Sequence, residues 1–211
     1  MNVEVLQSFL NQHFGNKLAV DGILGKNTQT ALDEATSKLL KRIARFAFVP
    51  NYAGFLAIRT KGEFDNATTD FLLYFQNGKI AEIMPCSTRA GDFWVFNPIT
   101  YGGITGTAVL AEGFYPQTWQ ATTQTRFGFR SVELVQIKPV KIWRDGNKDR
   151  KLDKSVSQTG MFGINIHTAG WNNIVDRWSA GCIVVPKAFW DAFTARYIKI
   201  GELYSLVLIE L

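Results

Sequence analysis

The spacing of apolar residues changes once along the chain, from a helical period to a strand period. Apolar side chains recur every three or four positions from residue 3 to residue 14, and Gly15 follows as a helix stop. A second helix is predicted from Asn27 to about Leu40, after a polar loop that contains an Asp-Gly turn. The pattern therefore predicts a small all-α N-terminal domain at residues 1–42 and a linker at residues 43–53.

From residue 54 onward the apolar runs are short and separated by turn residues, which is typical of strands. Residues 71–75 and 80–84 flank Asn77-Gly78 and predict a β-hairpin. Further predicted strands are residues 107–111, 132–143, 161–167, 182–185 and 204–211, and a late helix is predicted at residues 187–199. We therefore expect a mainly β sandwich or barrel at residues 54–211 with one late helix.

The stretch at residues 163–186 carries the candidate chemistry. An apolar run ends at His167, and Cys182, fifteen positions later, leads into a β-branched run. A thiol with a pKa of about 8.5 is mostly protonated at neutral pH, so a nucleophilic cysteine needs a base. The other histidine, His13, lies in the predicted N-terminal domain. Cys182 and His167 are therefore the candidate nucleophile and base.

Gly181 belongs to this prediction because glycine lets the backbone turn tightly. The backbone amides of Gly181 and Cys182 could then face the oxyanion that forms when a thiolate attacks a carbonyl. The alternative interpretation is that Cys182 is a small buried residue before a core strand, which is the usual environment of a cysteine.

The order His167, a loop and then Ser179-Ala180-Gly181-Cys182 before a hydrophobic residue resembles the L,D-transpeptidase (YkuD-type) signature. The resemblance implies an L,D-transpeptidase-like fold in which Cys182 attacks the peptide stem of peptidoglycan and His167 is the base. It also implies that the Thr168 carbonyl orients the imidazole and that Ser179 is the motif serine at the substrate site.

Two positions depart from that signature. Ala180 stands where the family has a second histidine, and Val184 stands where it often has arginine or asparagine. Both departures affect recognition of a substrate carboxylate. Arg177 could supply the missing cation, or it could be a solvated loop arginine.

Two loop stretches, residues 85–91 and 113–119, are rich in groups that can hold a polar ligand. Related catalytic domains line the substrate groove with comparable loops, so Arg89, Tyr115 and Trp119 are further candidates for substrate binding. The alternative is that these stretches are ordinary turns with aromatic anchors.

The N-terminal part carries a second resemblance. Leu6-Gln7, Leu10-Asn11 and the phrase LAVDGILG at residues 18–25 resemble the type 1 peptidoglycan-binding domain. This resemblance implies a wall-binding module, with ligand contacts in the region of residues 21–28. Asp21 and Gly22 are expected to build the turn rather than to touch the ligand, since Asp-Gly is a common turn pair.

Asp145, Asn147, Asp149 and Asp153 occupy positions 1, 3, 5 and 9 of an EF-hand calcium loop. However, Arg150 replaces the glycine of position 6 and Val156 replaces the glutamate of position 12. We therefore favour a polar turn, with a calcium site as the alternative. We expect neither a resident metal nor a cofactor.

The composition, 46% hydrophobic and 13% aromatic, excludes a disordered or fibrous protein. The net charge of +5 suits an anionic polymer such as cell-wall material. Nucleic acid is ranked low, because no basic cluster with interleaved aromatics is recognised. Residues 38–50 are basic and partly helical, which favours an interdomain connection, with a membrane-surface role as the alternative.

The N-terminal stretch has neither a basic leader nor a long apolar core, so we expect no signal peptide and no stable membrane insertion. Cys86 and Cys182 are expected to be thiols, since a disulfide would consume the nucleophile. We predict a monomeric wall-degrading cysteine peptidase, such as a phage endolysin. It would be made in the cytoplasm and act on peptidoglycan in the periplasm or outside the cell. The alternatives are an L,D-transpeptidase that forms cross-links and a non-catalytic wall-binding protein.

Overall fold

The computed structural model describes residues 1–46, 52–64, 66–126, 128–170 and 173–211. The helices are α1 (Val3–Phe14), α2 (Lys26–Ile43), α3 (Asp92–Phe96) and α4 (Lys187–Tyr197), with a 3₁₀ turn at Asp176–Trp178. The first strands are β1 (Gly54–Arg59), β2 (Asp70–Gln76), β3 (Lys79–Cys86), β4 (Thr100–Tyr101), β5 (Ile104–Thr105) and β6 (Thr107–Leu110). They are followed by β7 (Gly113–Arg126), β8 (Phe129–Gln136), β9 (Val140–Asp145), β10 (Ser157–Gly160), β11 (Ile166–Thr168), β12 (Ile183–Val185) and β13 (Leu203–Glu210).

The largest sheet has eight strands in the order β12-β11-β8-β7-β13-β1-β2-β3. Its two edges approach each other, because Ser87, just after β3, forms a bridge with Val184 of β12. The two backbone bonds of this bridge measure 2.9 and 3.0 Å. The sheet is therefore barrel-like, and the prediction of a mainly β fold is confirmed. A smaller sheet, β10-β9-β6, and the hairpin β4-β5 lie beside it.

The barrel-like sheet encloses the main hydrophobic core. Trp119 of β7 and Trp190 and Phe193 of α4 are among its largest buried side chains. The helix α4 places Trp190 and Phe193 toward the sheet, as the helical spacing of its apolar residues predicts. The β2–β3 hairpin also forms as predicted, and Asn77 and Gly78 both have positive φ, which suits the turn that joins two adjacent strands.

Several predicted boundaries are wrong. Of the predicted strand at residues 161–167, only Ile166 and His167 lie in a strand, β11. Residues 132–143 form two strands, β8 and β9, rather than one, and they separate around Pro139, which has no amide to donate to a ladder. Residues 113–119 are not a loop but the start of β7, which pairs with β13. Sheet pairing outweighs the local turn signal of Pro116 there.

The helices α1 and α2 cover one face of the large sheet. Asn2 accepts a hydrogen bond from the Val5 amide at the start of α1, and Gly15 ends that helix with φ of 70°. The buried side chains of both helices share one apolar cluster with Leu56, Leu73 and Val207 of the sheet. The predicted domain boundary at residue 42 stays a prediction, and residues 47–51 of the predicted linker lie outside the described residues.

Candidate active site

The candidate nucleophile and base lie on two neighbouring parallel strands. His167 of β11 pairs with Val184 of β12, and Cys182 lies two residues before Val184. Side chains two positions apart on a strand point to the same face, so Cys182 and His167 share the face of Val184. The two residues are offset by one strand and by two positions along the strand. This offset corresponds to about 8 Å between their Cα atoms, a distance that long side chains can span.

The ring of His167 is held by its own strand. His167 is only 1% exposed, and its Nδ1 lies 2.8 Å from the backbone oxygen of Thr168. Because a carbonyl oxygen can only accept, Nδ1 carries the proton and Nε2 is the basic nitrogen of the neutral ring. The contact that the resemblance implied for Thr168 is present, and it sets the tautomer that a base requires.

The thiol of Cys182 lies directly before β12 and is partly exposed. Its Sγ lies 3.3 Å from the Gly163 carbonyl oxygen and 3.4 Å from the Asn165 amide nitrogen. The backbone just before β11 thus positions the sulfur. The Gly163 carbonyl accepts a hydrogen bond from the thiol, and the Asn165 amide donates one to it.

Gly181 is required by the backbone, but it is not the predicted oxyanion donor. Its φ of 136° disfavours other residues, and a methyl group here would overlap the carbonyl oxygen of Ala108. The Gly181 amide donates to Ser179 Oγ at 3.1 Å, so it is occupied within the loop. The oxyanion role of this amide is therefore corrected to a conformational role.

Ser179 shapes the cysteine loop from inside. Its side chain is fully buried, and its Oγ lies 2.8 Å from the Cys182 oxygen and 3.2 Å from the Arg89 oxygen. Its own carbonyl accepts from the Gly91 amide at 3.0 Å. The prediction that Ser179 touches substrate is therefore wrong, because its hydroxyl is consumed by backbone groups on two loops.

Tyr115 and Trp119 were predicted to line a substrate groove, and both predictions are wrong. Trp119 is 0% exposed, and its Nε1 donates to the Ile164 oxygen at 2.7 Å. Tyr115 is also buried, and its hydroxyl donates to the Ala111 oxygen at 2.7 Å. Alternating positions of β7 place both rings on the core face, where large aromatic surfaces are buried with their polar atoms bonded.

Arg89 is buried as well, which contradicts its predicted place in the groove. Its guanidinium forms an ion pair of 2.8 Å with the buried Asp70 and donates to the Thr60 oxygen. Asp70 also accepts from the Thr88 amide and hydroxyl. This network fixes the loop after β3, whose Arg89 carbonyl contacts Ser179. Arg89 thus supports the cysteine loop through its backbone.

Arg177 is the one predicted substrate-binding residue that the structure leaves exposed. It lies on the 3₁₀ turn, and its guanidinium carbon lies 4.3 Å from the centre of the Phe93 ring. Its backbone oxygen accepts from Trp94 Nε1 at 3.1 Å. This contact places the guanidinium of Arg177 over the Phe93 ring at an exposed position, and its role toward substrate stays a prediction.

No sequence pattern pointed to Gln136, which lies beside the candidate site. The side chain of Gln136 is buried at the end of β8, and its Oε1 accepts from the amides of Phe162 and Ile164. These bonds fix the segment that presents Gly163 to the thiol. No local pattern marks Gln136, since it lies 46 residues before Cys182 in the sequence and becomes adjacent only through sheet pairing.

The acidic loop after β9 folds around its own backbone. Asp145 accepts from the Asp153 amide at 2.9 Å, and Asn147 and Asp149 accept from amides two residues further on. Burial raises the pKa of Asp145. In the part of the chain that the structure describes, no group of three or more histidine, cysteine, aspartate or glutamate side chains could hold a metal ion. The loop geometry matches the favoured polar turn.

The predicted wall-binding region surrounds a groove of about 290 Å³ between α1 and the loop before α2. Gln7 of α1 organises this loop, since its amide donates to Asp21 at 2.7 Å and its oxygen accepts from the Asp21 and Gly22 amides. Asp21 thus builds the turn, as predicted. Lys17, Lys26 and Asn27 also line the groove, so the predicted contact region is concave and polar.

In the described residues, no helix is long and apolar enough to cross a membrane. No family model matches the chain, and no curated protein matches it.

Several solved structures match this chain at low identity and low TM-score. One is the L,D-transpeptidase (residues 123–326) of Xylanimonas cellulosilytica DSM 15894, with 15% identity over 99% of this chain and 93% of that chain, at a TM-score of 0.37. The catalytic domain of the E. faecium L,D-transpeptidase has 14% identity over 75% of this chain and 98% of its own, at a TM-score of 0.35. Mycobacterium tuberculosis L,D-transpeptidase 1 has 11% identity over 74% and 62%, at a TM-score of 0.30. These TM-scores are too low to support a functional argument, so any assignment of function rests on the site itself.

Proposed function

We propose that this protein is a peptidoglycan-active cysteine enzyme that cleaves amide bonds of the peptide stem, as a phage endolysin does. One observation carries the proposal. Cys182 and His167 share one face of two paired strands, and the Thr168 carbonyl fixes the ring so that Nε2 is its basic nitrogen. A thiol and an imidazole on one face of adjacent strands support a nucleophilic cysteine mechanism.

The reaction proceeds in two steps that balance protons. Nε2 of His167 takes the thiol proton, and the Cys182 thiolate attacks the amide carbonyl carbon. The carbon–nitrogen bond breaks as the imidazolium returns the proton to the departing amine, which leaves a thioester on Cys182. In the second step His167 takes a proton from water, the hydroxide attacks the thioester, and the thiol is restored as the acid product leaves.

Water is the proposed acceptor of the acyl group because position 184 is occupied by a valine. Val184 is fully buried in an apolar cluster with Ala169 and Val175. A cation at this position, as the L,D-transpeptidase signature often has, could bind an acceptor carboxylate, whereas a buried valine cannot. A site that does not hold an amine acceptor transfers its acyl group to water. Arg177 is the proposed partner for a carboxylate of the donor stem.

The groove beside α1 is the proposed wall-binding site. Its polar lining and its distance in sequence from Cys182 suit a module that holds the enzyme on an insoluble polymer. Such a second contact raises the effective concentration of substrate at the catalytic site. The proposed place of action is therefore the cell wall, and the proposed working form is a monomer.

Digestion of purified sacculi tests the proposal, with mass spectrometry of the released muropeptides. Wild-type protein should release cleaved stems, and Cys182→Ala should release at least about a thousandfold less, since the variant lacks the proposed nucleophile. The matched control is Cys86→Ala, which removes the other thiol and should retain activity within about threefold.

Three results would contradict parts of the proposal. New cross-links without cleaved stems would indicate a transpeptidase. Wild-type protein that binds sacculi without altering any bond would indicate a non-catalytic wall-binding protein. Equal loss of activity in Cys86→Ala and Cys182→Ala, with both variants folded, would remove the assignment of the nucleophile.

A further inference from the structure

The last part of α2 and the turn after it carry a basic stripe, defined here as Lys38, Lys41, Arg42 and Arg45. Lys41, Arg42 and Arg45 follow Lys38 by three, four and seven positions, so the four side chains lie on one face of the helix and the turn after it. The opposite face of this part of the helix carries Leu39 and Ile43, which are buried against the sheet. The twelve residues at 35–46 contain no acidic side chain. The result is a concentrated positive surface on an otherwise mildly charged protein.

The cations of the stripe have no carboxylate partner among the residues that the structure describes. Many basic side chains elsewhere in the protein have carboxylate partners. For example, Arg59 pairs with Glu210 and Arg89 pairs with Asp70. Like charges at helical spacing destabilise a helix by about 0.2 to 0.5 kcal/mol per pair. The helix dipole favours Lys41 and Arg42 in the last turn, but it does not account for Lys38 or Arg45.

Apolar surface accompanies the stripe. Phe46, directly after Arg45, is 39% exposed. A groove of about 400 Å³ next to the stripe is lined by Lys38 and Arg42 together with Phe14 and Leu211. Cations beside exposed aromatic and aliphatic groups suit a surface that combines phosphate groups with hydrocarbon. A purely polar anionic polymer would use the charges but not the apolar groups.

We propose that the basic stripe, with Phe46, docks this protein onto an anionic phospholipid surface. The lysine and arginine side chains contact lipid phosphates, and Phe46 enters the boundary between headgroups and acyl chains. The binding is peripheral and reversible, because four cations and one aromatic side chain provide an interfacial contact and not a span. It does not depend on the reaction at Cys182.

Vesicle co-sedimentation of the full chain tests this proposal. Wild-type protein should bind vesicles of phosphatidylcholine with phosphatidylglycerol and should not bind phosphatidylcholine alone. The double variant K41E/R45E should bind the anionic vesicles at least about tenfold more weakly, since each cation near an anionic surface contributes several-fold in affinity. Binding should also weaken as salt rises.

The matched control is K148E/K151E, which makes the same charge change at two exposed loop lysines and should bind as wild type does. Thermal melts of both variants would establish that they fold. Phe46→Ser should weaken binding at constant charge. Cys182→Ala should bind vesicles normally, which separates this test from that of the proposed enzyme.

Equal weakening by both double variants would overturn the proposal, because net charge alone would then explain binding. Absence of vesicle binding by the wild-type protein would overturn it as well. Binding of the stripe to sacculi or to nucleic acid, without binding to vesicles, would replace the lipid surface with that polymer.

Discussion

The two cysteines lie close together in the fold but in opposite environments. Cys86 ends β3 and Cys182 precedes β12, and these strands meet at the bridge between Ser87 and Val184. Cys86 points into the main core and is 0% exposed. Cys182 is partly exposed and lies on the same face as His167. One residue type is thus used once as a core side chain and once as a candidate nucleophile.

The difference shows that strand face, rather than residue type, decides what a cysteine can do. Burial raises the pKa of the Cys86 thiol well above its ordinary value, and the charge of Asp70 raises it further. A thiol that stays protonated and shielded from solvent is inert. Cys182 has contact with solvent and the imidazole of His167 on its face, which are the two properties that Cys86 lacks.

Alkylation with iodoacetamide should give the largest difference between the two thiols. We expect Cys182 to react in the native protein at least about a thousandfold faster than Cys86, because reaction at Cys86 requires the core to open. Peptide mass spectrometry over time measures both rates. Similar rates at the two cysteines in folded protein would contradict the comparison, and urea-unfolded protein, in which both should react alike, is the control.

Replacement of His167 should bring Cys182 closer to an ordinary cysteine. In His167→Gln we expect stem cleavage to fall about a hundredfold or more, which is the usual contribution of a general base. Alkylation of Cys182 should also require higher pH, since a cysteine without a neighbouring base has a pKa of about 8.5. His13→Gln, at the other histidine, should leave both measurements unchanged. An unaltered pH profile in His167→Gln would exclude His167 as the base.

Gly181→Ala should disturb the exposed cysteine and leave the buried one in place. The added methyl would overlap Ala108, and the residue would have to hold a φ of 136°. We expect a loss of about 2 to 4 kcal/mol in the free energy of unfolding, and a marked loss of activity. Gly62→Ala is the control, because nothing lies within 4 Å of its added carbon. Equal stability of the two variants in urea titrations would contradict the close packing at Gly181.

The smallest expected effect is the alkaline pH dependence due to Cys86. The folded thiol has a raised pKa, so above about pH 8.5 the unfolded chain releases a proton that the folded chain keeps. This contribution to stability is therefore complete below that pH and is lost as pH rises, by up to about 1.4 kcal/mol per unit. Urea titrations from pH 8 to 9.5 should show a flatter slope in Cys86→Ala than in the wild-type protein.

Much of this protein follows from short-range patterns. The period of the apolar residues predicts α1, α2 and α4, and Asn77-Gly78 predicts the first hairpin. Cys182 and His167 were predicted as nucleophile and base because each lies at the end of an apolar run, where strands place side chains next to loops. The Thr168 carbonyl adjoins His167 in sequence, so its contact with Nδ1 is also local.

Long-range pairing decided the rest. Tyr115, Trp119 and Arg89 looked like groove residues, and all three are buried. Tyr115 and Trp119 belong to β7, which begins before its turn signal, whereas Arg89 stays in a loop and is buried by its ion pair with Asp70. Gln136 holds the segment beside the thiol through the Phe162 and Ile164 amides, and no motif contains it, since β8 and β11 become adjacent only in the sheet. A sequence shows the type and spacing of side chains, and it therefore determined which groups could react. The face of the sheet onto which each side chain falls depends on strand register, and register is set by contacts between residues distant in the chain.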